Sequence, residues 1–145
     1  MKPINEMRLT FPSRSANEGF ARMAVSAFIA ALDPTVDQLS DIKTAVSEAV
    51  TNCVVHGYKE GIGKIYIHAA IYDGGRIRIK IRDRGCGIPD IKLARTPLYS
   101  SLGEERAGLG FAVMESFMDK VYVRSKVGVG TTVTLCKTLN LKDNC

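Results

Sequence analysis

The sequence predicts an α+β fold: a two-layer sandwich with a mixed, mainly antiparallel sheet and helices on one face. Three observations predict it. Lys64–Tyr72 and Arg76–Asp83 alternate apolar and polar residues on either side of Asp73-Gly74-Gly75, the pattern of a hairpin. A second hairpin, around Gly128-Val129-Gly130, closes the pattern. Between residues 15 and 56, apolar residues recur instead at helical spacing. Adjacent hairpins demand antiparallel pairing, which a doubly wound βαβ sheet lacks. The 145 residues suit a single domain, 1–145.

Each element has its own signal. Residues 6–12 place Met7, Leu9 and Phe11 at period two, a first strand. Ser15-Ala16-Asn17-Glu18 has capping-box spacing, and Phe20, Ala24, Ala27, Phe28 and Ala31 follow as a helical stripe ending near Leu32. A second helix restarts at Asp33-Pro34-Thr35. Either Asp33 caps it with Pro34 in the first turn, or Thr35 caps it with Gln38. Its stripe is Leu39, Ile42, Val46, Ala49, Val50 and Cys53, and Gly57 ends it near His56. In the first hairpin, Ile65, Ile67, Ala69 and Ile71 share one face, as do Ile77, Ile79 and Ile81. Residues 89–95 read as a short helix and 96–107 as a mobile Ser/Gly-rich loop. Gly108 and Gly110 open a helix over residues 108–119, and residues 121–126 and 131–139 form the last hairpin.

Composition removes several function classes. At 46% hydrophobic and 24% charged residues, the chain can bury a core and is not a disordered tail. No apolar run reaches membrane-spanning length, and no signal-like stretch follows Lys2, so a cytoplasmic protein without a membrane partner is expected. The four cysteines, Cys53, Cys86, Cys136 and Cys145, form no Cys-x-x-Cys pair, which speaks against structural zinc. Cys53 and Cys136 read as small core residues, and free thiols fit a reducing compartment. The net charge of +5 suits nucleic acid, acidic proteins or phosphorylated ligands. Without Trp or a basic block, a direct nucleic-acid partner is not expected, because stacking platforms need exposed aromatics. Arg76, Arg78, Lys80, Arg82 and Arg84 fall opposite the isoleucines, either as a solvated sheet face or as a dock for an acidic partner.

The candidate site is a set of weak signals. Glu48 and Asn52 lie about 40° apart around one helix, so they share a face, off the apolar stripe. Two solvated polar residues are the plain alternative. Asp83 shares the parity of Ile77, Ile79 and Ile81, so its carboxylate points inward and needs a partner. A purine amino group fits that need, and so does an Asx-type turn closed by backbone amides. Gly85 and Gly87 allow positive φ and a wall without side chains. Gly108 and Gly110, at a helix start, suit phosphate, and Arg106 can reach a terminal phosphate or remain a solvated charge. Thr131 has inward parity, for a base edge or for backbone.

Taken together, Glu48…Asn52, Asp83-x-Gly85-x-Gly87, Gly108-x-Gly110 and Gly130-Thr131 resemble, in order and spacing, the GHKL ATPase/kinase superfamily and its Bergerat-type ATP-binding fold. Within it, Glu48-Ala49-Val50-Thr51-Asn52, His56-Gly57-Tyr58, Gly87-Ile88-Pro89-Asp90 and residues 108–115 resemble the sporulation anti-sigma factor serine kinases. The resemblance implies ATP and Mg²⁺ as cofactors, with Asn52 coordinating the metal. It implies Asp83 on the adenine amino group, with Gly85, Gly87 and Thr131 beside it. Gly108 and Gly110 meet phosphates, residues 96–107 form a lid, and Glu48 is the general base. It further implies a homodimer that inhibits a sporulation sigma factor and phosphorylates a serine of an anti-anti-sigma protein. Glu18 and Arg22 on the first helix are the candidate partner contacts. The alternative is a nucleotide-dependent sigma-binding module or an ATPase without productive protein phosphorylation.

Overall fold

A computed structural model describes residues 1–96 and 105–139, the stretch 105–108 as backbone only. The elements run β1 (Asn5–Pro12), α1 (Asn17–Ile29), α2 (Val36–Asn52), β2 (Lys64–Tyr72), β3 (Arg76–Asp83), α3 (Ile91–Ala94), α4 (Glu105–Phe117), β4 (Lys120–Lys126) and β5 (Gly130–Thr138). The strands form one sheet in the order β1-β2-β3-β5-β4. Each of its pairings is antiparallel, as hairpin connections require. Most of the expected loop at 96–107 lies outside the described residues. Among the described residues, no helix is long and apolar enough to cross a membrane.

The core forms because both periodicities point to the same space. Ile65, Ile67, Ile79, Ile81 and Leu135 project from one sheet face and are almost completely buried. Ile42, Val46 and Val50 of α2 meet them, with Val25 and Ile29 of α1 and Phe111 and Met114 of α4. Complete burial of each such side chain stabilises the fold by about 1.5–3 kcal/mol. In register, Phe11, Ile65, Asp83, Thr131 and Ser125 occupy one row across the sheet. The sheet thus delivers three polar side chains to one end of an otherwise apolar face.

Helix α2 starts where one of the two sequence alternatives placed it. Thr35 caps it: Gln38 N–H donates to Thr35 Oγ1 at 3.1 Å, and Thr35 N–H donates to Gln38 Oε1 at 2.9 Å. Asp33 instead takes a left-handed conformation, φ 49°. Thr35→Ala should therefore cost about 1 kcal/mol of stability, read as a lower urea midpoint with an unchanged slope. At its other end α2 passes into a π turn over Cys53–Gly57, where Tyr58 N–H donates to Cys53 O at 3.0 Å. Wide turns of this kind recur where a helix must present groups to a site.

Several expectations need correction. The capping box at residues 15–18 does not form; Ala16 occupies the cap without a side-chain bond. The buried stripe of α1 is Ala21, Val25, Ser26 and Ile29, one step from the expected one, and Phe20 is 53% exposed. The helix is apolar on much of its circumference, so two stripes fit the same period. Cys136 is not a core residue: Val133 and Leu135 point inward, so alternation turns Cys136 to the other face. Helix α4 begins at Glu105. Gly108 and Gly110 therefore sit inside it and do not open it. The short helix α3 is confined to Ile91–Ala94, capped by Asp90.

Candidate functional site

A cleft lies between α2, its π turn, α4 and the ends of β3 and β5. It is a cavity of about 110 Å³ whose walls include Asn52, Gly57, Ile81, Asp83, Phe111 and Thr131. Ile81, Phe111 and Val133 make its floor apolar, and the loop after β3 brings in Gly87, Ile88 and Pro89.

Asp83 anchors the cleft. It is 4% exposed, and its carboxylate accepts from Gly85 N–H at 2.9 Å. Both sequence readings of this residue therefore meet: the Asx-type turn is present, and the side chain still faces the cavity. Burial raises its pKa above the ordinary value of 3.8; bonds from Gly85, the Cys53 thiol and the Thr131 backbone oppose the rise without cancelling it. Burial also raises the Cys53 thiol, and the charge of Asp83 adds to that. Cys53 thus stands as an inert donor to the carboxylate and not as a nucleophile.

The glycines after Asp83 differ in purpose. A Cβ on Gly85 would lie 1.9 Å from Gly57 O, so the turn packs backbone on backbone there. Cys86 N–H donates to that same carbonyl at 2.9 Å. Gly85 is thus needed for close approach alone, whereas Gly87 has a positive φ, 78°, and a Cβ there would also lie 2.4 Å from Lys126 O. Cys86 is exposed, and its thiol donates to His56 O at 3.1 Å.

Thr131 is inward, as its parity requires, and its Oγ1 lies 2.8 Å from Ser125 Oγ. Ser125 also donates to Gly130 O at 3.1 Å and accepts from Ile88 N–H at 2.7 Å. Sequence reasoning missed Ser125 and Cys53 as neighbours of the site. The signal for Ser125 was available: it shares parity with Val121 and Val123 and falls opposite Thr131.

At the other end of the cleft, Glu48 and Asn52 do converge. A Cβ placed on Gly110 would sit 3.2 Å from Glu48 Oε2 and 3.3 Å from Asn52 Oδ1. Both side chains are half-buried. Asn52 Nδ2 is fully buried with no hydrogen-bond partner among the described residues. An orphaned amide beside a carboxylate, over a helix face left bare by glycine, is an arrangement that suits a ligand. With α4 starting at Glu105, the helix N–H groups without an intrahelical acceptor are those of its first turn, residues 105–107, and include neither Gly108 nor Gly110. The side chain of Arg106 lies outside the described residues. Glu18 and Arg22 pair on α1 at 3.6 Å and do not line the cleft.

Residues 11–137 match the Histidine kinase-like ATPase domain family. The Anti-sigma F factor of Geobacillus kaustophilus is 53% identical over 134 residues, 92% of each chain. That of Halalkalibacterium halodurans is 55% identical over 137 residues, 93% of each chain. This chain belongs to the anti-sigma F factor family. The fold agrees with that membership. The RsbU and RsbW domains of a Mycobacterium tuberculosis protein superpose with a TM-score of 0.69 at 24% identity, over 94% of this chain and 32% of that one. The histidine kinase domain of an Erythrobacter litoralis blue-light activated kinase superposes with a TM-score of 0.54 at 19% identity, covering 89% and 62% of the two chains. The Histidine kinase-like ATPase domain implies that this chain binds ATP.

Proposed function

We propose that this chain is a cytoplasmic, homodimeric anti-sigma factor and protein serine kinase that uses Mg-ATP to phosphorylate an anti-anti-sigma protein. The convergence of Glu48 and Asn52 on the bare face of Gly110 supports it, because it places a proton acceptor and a metal-seeking amide together. Asp83 accepts from the purine amino group, and the apolar floor at Ile81, Phe111 and Val133 takes the ring. Gly87 and Thr131 flank it. The unpaired N–H groups of the first turn of α4 turn to phosphate, Gly108 and Gly110 leave the approach free of side chains, and Arg106 follows as a second phosphate contact.

No cluster of three His, Cys, Asp or Glu side chains that could hold a metal occurs among the described residues. Mg²⁺ keeps waters and substrate phosphates as ligands and needs one or two protein oxygens. Asn52 Oδ1, beside the bare face of Gly110, would be the protein oxygen that holds it, and there Mg²⁺ would neutralise phosphate charge. Glu48 takes the proton from the partner's serine Oγ as that oxygen bonds the γ-phosphorus and the bond to ADP oxygen breaks. Glu18 and Arg22, outside the cleft, are the proposed contacts for the sigma factor.

Gly110→Ala should separate folding from function. The added methyl meets the mobile ends of Glu48 and Asn52, not backbone, and Ala favours a helix over Gly by about 1 kcal/mol. The melting temperature should hold or rise, while phosphorylation falls about 10–100-fold through misplacement of those two side chains. The kinase reading itself is tested by incubating the protein with Mg-[γ-³²P]ATP and an anti-anti-sigma protein and mapping the label. Label on a serine of that partner is expected. Label on this chain alone, or hydrolysis with no transfer, would replace the kinase with a binding module or a bare ATPase.

A further inference from the structure

The sheet has a second face, turned away from α1, α2, α4 and the cleft. Strand alternation puts Arg76, Arg78, Lys80 and Arg82 of β3 there, and register sets Lys120 beside Arg78 across Cys136 and Arg124 beside Arg82 across Thr132. Among the strand residues of that face, Glu6 on outer strand β1 is the one acid, and it is engaged by Arg8 at 3.1 Å. A chain of net charge +5 therefore carries most of its excess on one side. A solvated face normally mixes signs to limit self-repulsion. Here the acids are confined to the margins, Glu6 on the outer strand and Asp119 beside Lys120.

The cations are also ordered. Alternate residues on a strand stand about 7 Å apart, so the line from Arg76 to Arg84 covers about 27 Å. That step is comparable to the spacing of phosphates along an extended single strand. Tyrosines hold the guanidinium groups in place: Arg78 lies 5.3 Å from the Tyr72 ring, and Arg82 and Arg84 lie 5.9 and 4.9 Å from the Tyr66 ring. Stacking covers a flat face of Arg82 and Arg84, whereas Arg78 also donates from Nη2 to the Tyr72 hydroxyl and has its Nε buried. Arg78 Nε has no hydrogen-bond partner among the described residues. It borders a depression of about 370 Å³ together with Arg76, Asp119, Lys120 and Cys136. Tyr122, in the Lys80 row, is 53% exposed. The chain lacks Trp, but the fold collects Tyr66, Tyr72 and Tyr122 on this face beside the cations.

We propose that the open sheet face is a docking surface for single-stranded nucleic acid, with the β3 stripe following the phosphates and Tyr122 stacking on a base. The line of fixed cations favours a linear polyanion, and the exposed ring favours one with bases over an acidic peptide. The site is independent of the cleft and of the kinase reading.

The test is fluorescence anisotropy of the full chain with labelled 20-mer oligo(dT) and oligo(rU), beside poly-glutamate and anionic phosphatidylserine vesicles. The oligonucleotides should bind at low salt, with log affinity falling against log salt at a slope of about −3.5 for five neutralised phosphates. Lys80→Glu with Arg82→Glu should weaken binding tenfold or more, with ATP-analogue affinity kept as the folding control. The milder pair Lys80→Ala with Arg82→Ala should fall between. Tyr122→Ala should weaken the oligonucleotides several-fold and leave poly-glutamate unchanged. Absent oligonucleotide binding, charge reversal without effect, or equal affinity for poly-glutamate or vesicles would each overturn the proposal. So would charge reversal that dissociates a dimer in sedimentation, since a second copy would then own the face.

Discussion

Glu48→Ala should bind ATP with nearly the parent's affinity and lose phosphorylation of the partner serine by about 10²–10⁴-fold. The separation follows from position. Glu48 stands at the Gly110 end of the cleft and does not line the apolar part where a purine ring would lie. A general base acts on the proton of the attacking hydroxyl, so its loss is felt in the transition state and not in nucleotide binding. The half-buried side chain leaves no buried cavity of the kind that lowers stability on truncation. Calorimetric nucleotide titration and single-turnover label transfer, run on the same preparation, check both halves. Phosphorylation at the parent rate would remove Glu48 from the chemistry.

Asp83→Asn should weaken ATP binding while stabilising the folded protein. The carboxylate is the acceptor aimed into the cleft. Once Asn Oδ1 is used by Gly85 N–H, its amide hydrogens oppose those of a purine amino group. An unpaired donor of this kind costs about 1–3 kcal/mol, or about 5–150-fold in affinity. Stability moves the other way because burial outweighs the bonds to Asp83 and raises its folded pKa above 3.8. The folded state therefore holds that proton more tightly than the unfolded chain. The stability present below the unfolded value is lost as pH climbs through the raised folded value. Asn cannot ionise and keeps it. The variant's advantage in melting temperature should thus be absent in acid and grow as pH rises past the carboxyl range. A variant less stable than the parent at neutral pH would show that the carboxylate's bonds, not its burial, dominate. Binding sites often hold such groups at a cost to the fold.

The legible parts of this molecule were those set by alternation. Period two placed Ile65, Ile67, Ile77, Ile79 and Ile81 inside and, by the same parity, turned Asp83 and Thr131 inward. Helical spacing likewise put Glu48 and Asn52 on one side of α2. Where the sequence misled, the pattern was degenerate or the cause lay elsewhere in the chain. The apolar circumference of α1 allowed two stripes, and only packing against the sheet selects Ala21, Val25 and Ile29. Gly85 reads as a residue of flexible φ, yet its need comes from Gly57, a contact made through the π turn of α2. The hydroxyl of Ser125 joins the site through the register of the last hairpin, a signal six residues long that parity alone did not single out. The basic stripe was visible as residues, but its tyrosine partners on β2 and β4 appeared only once the strands were ordered.

One cleft holding both the purine and the transferred phosphate is the premise of the proposed kinase. An amide NMR titration with a Mg²⁺-loaded, non-hydrolysable ATP analogue examines it most directly. The largest shifts should fall at Asn52, Asp83, Gly85, Gly87 and Gly110, the Asn52 shift should require Mg²⁺, and Arg78 and Lys80 should stay unmoved. Shifts confined to the outer sheet face, or an Asn52 resonance indifferent to nucleotide and metal, would contradict it.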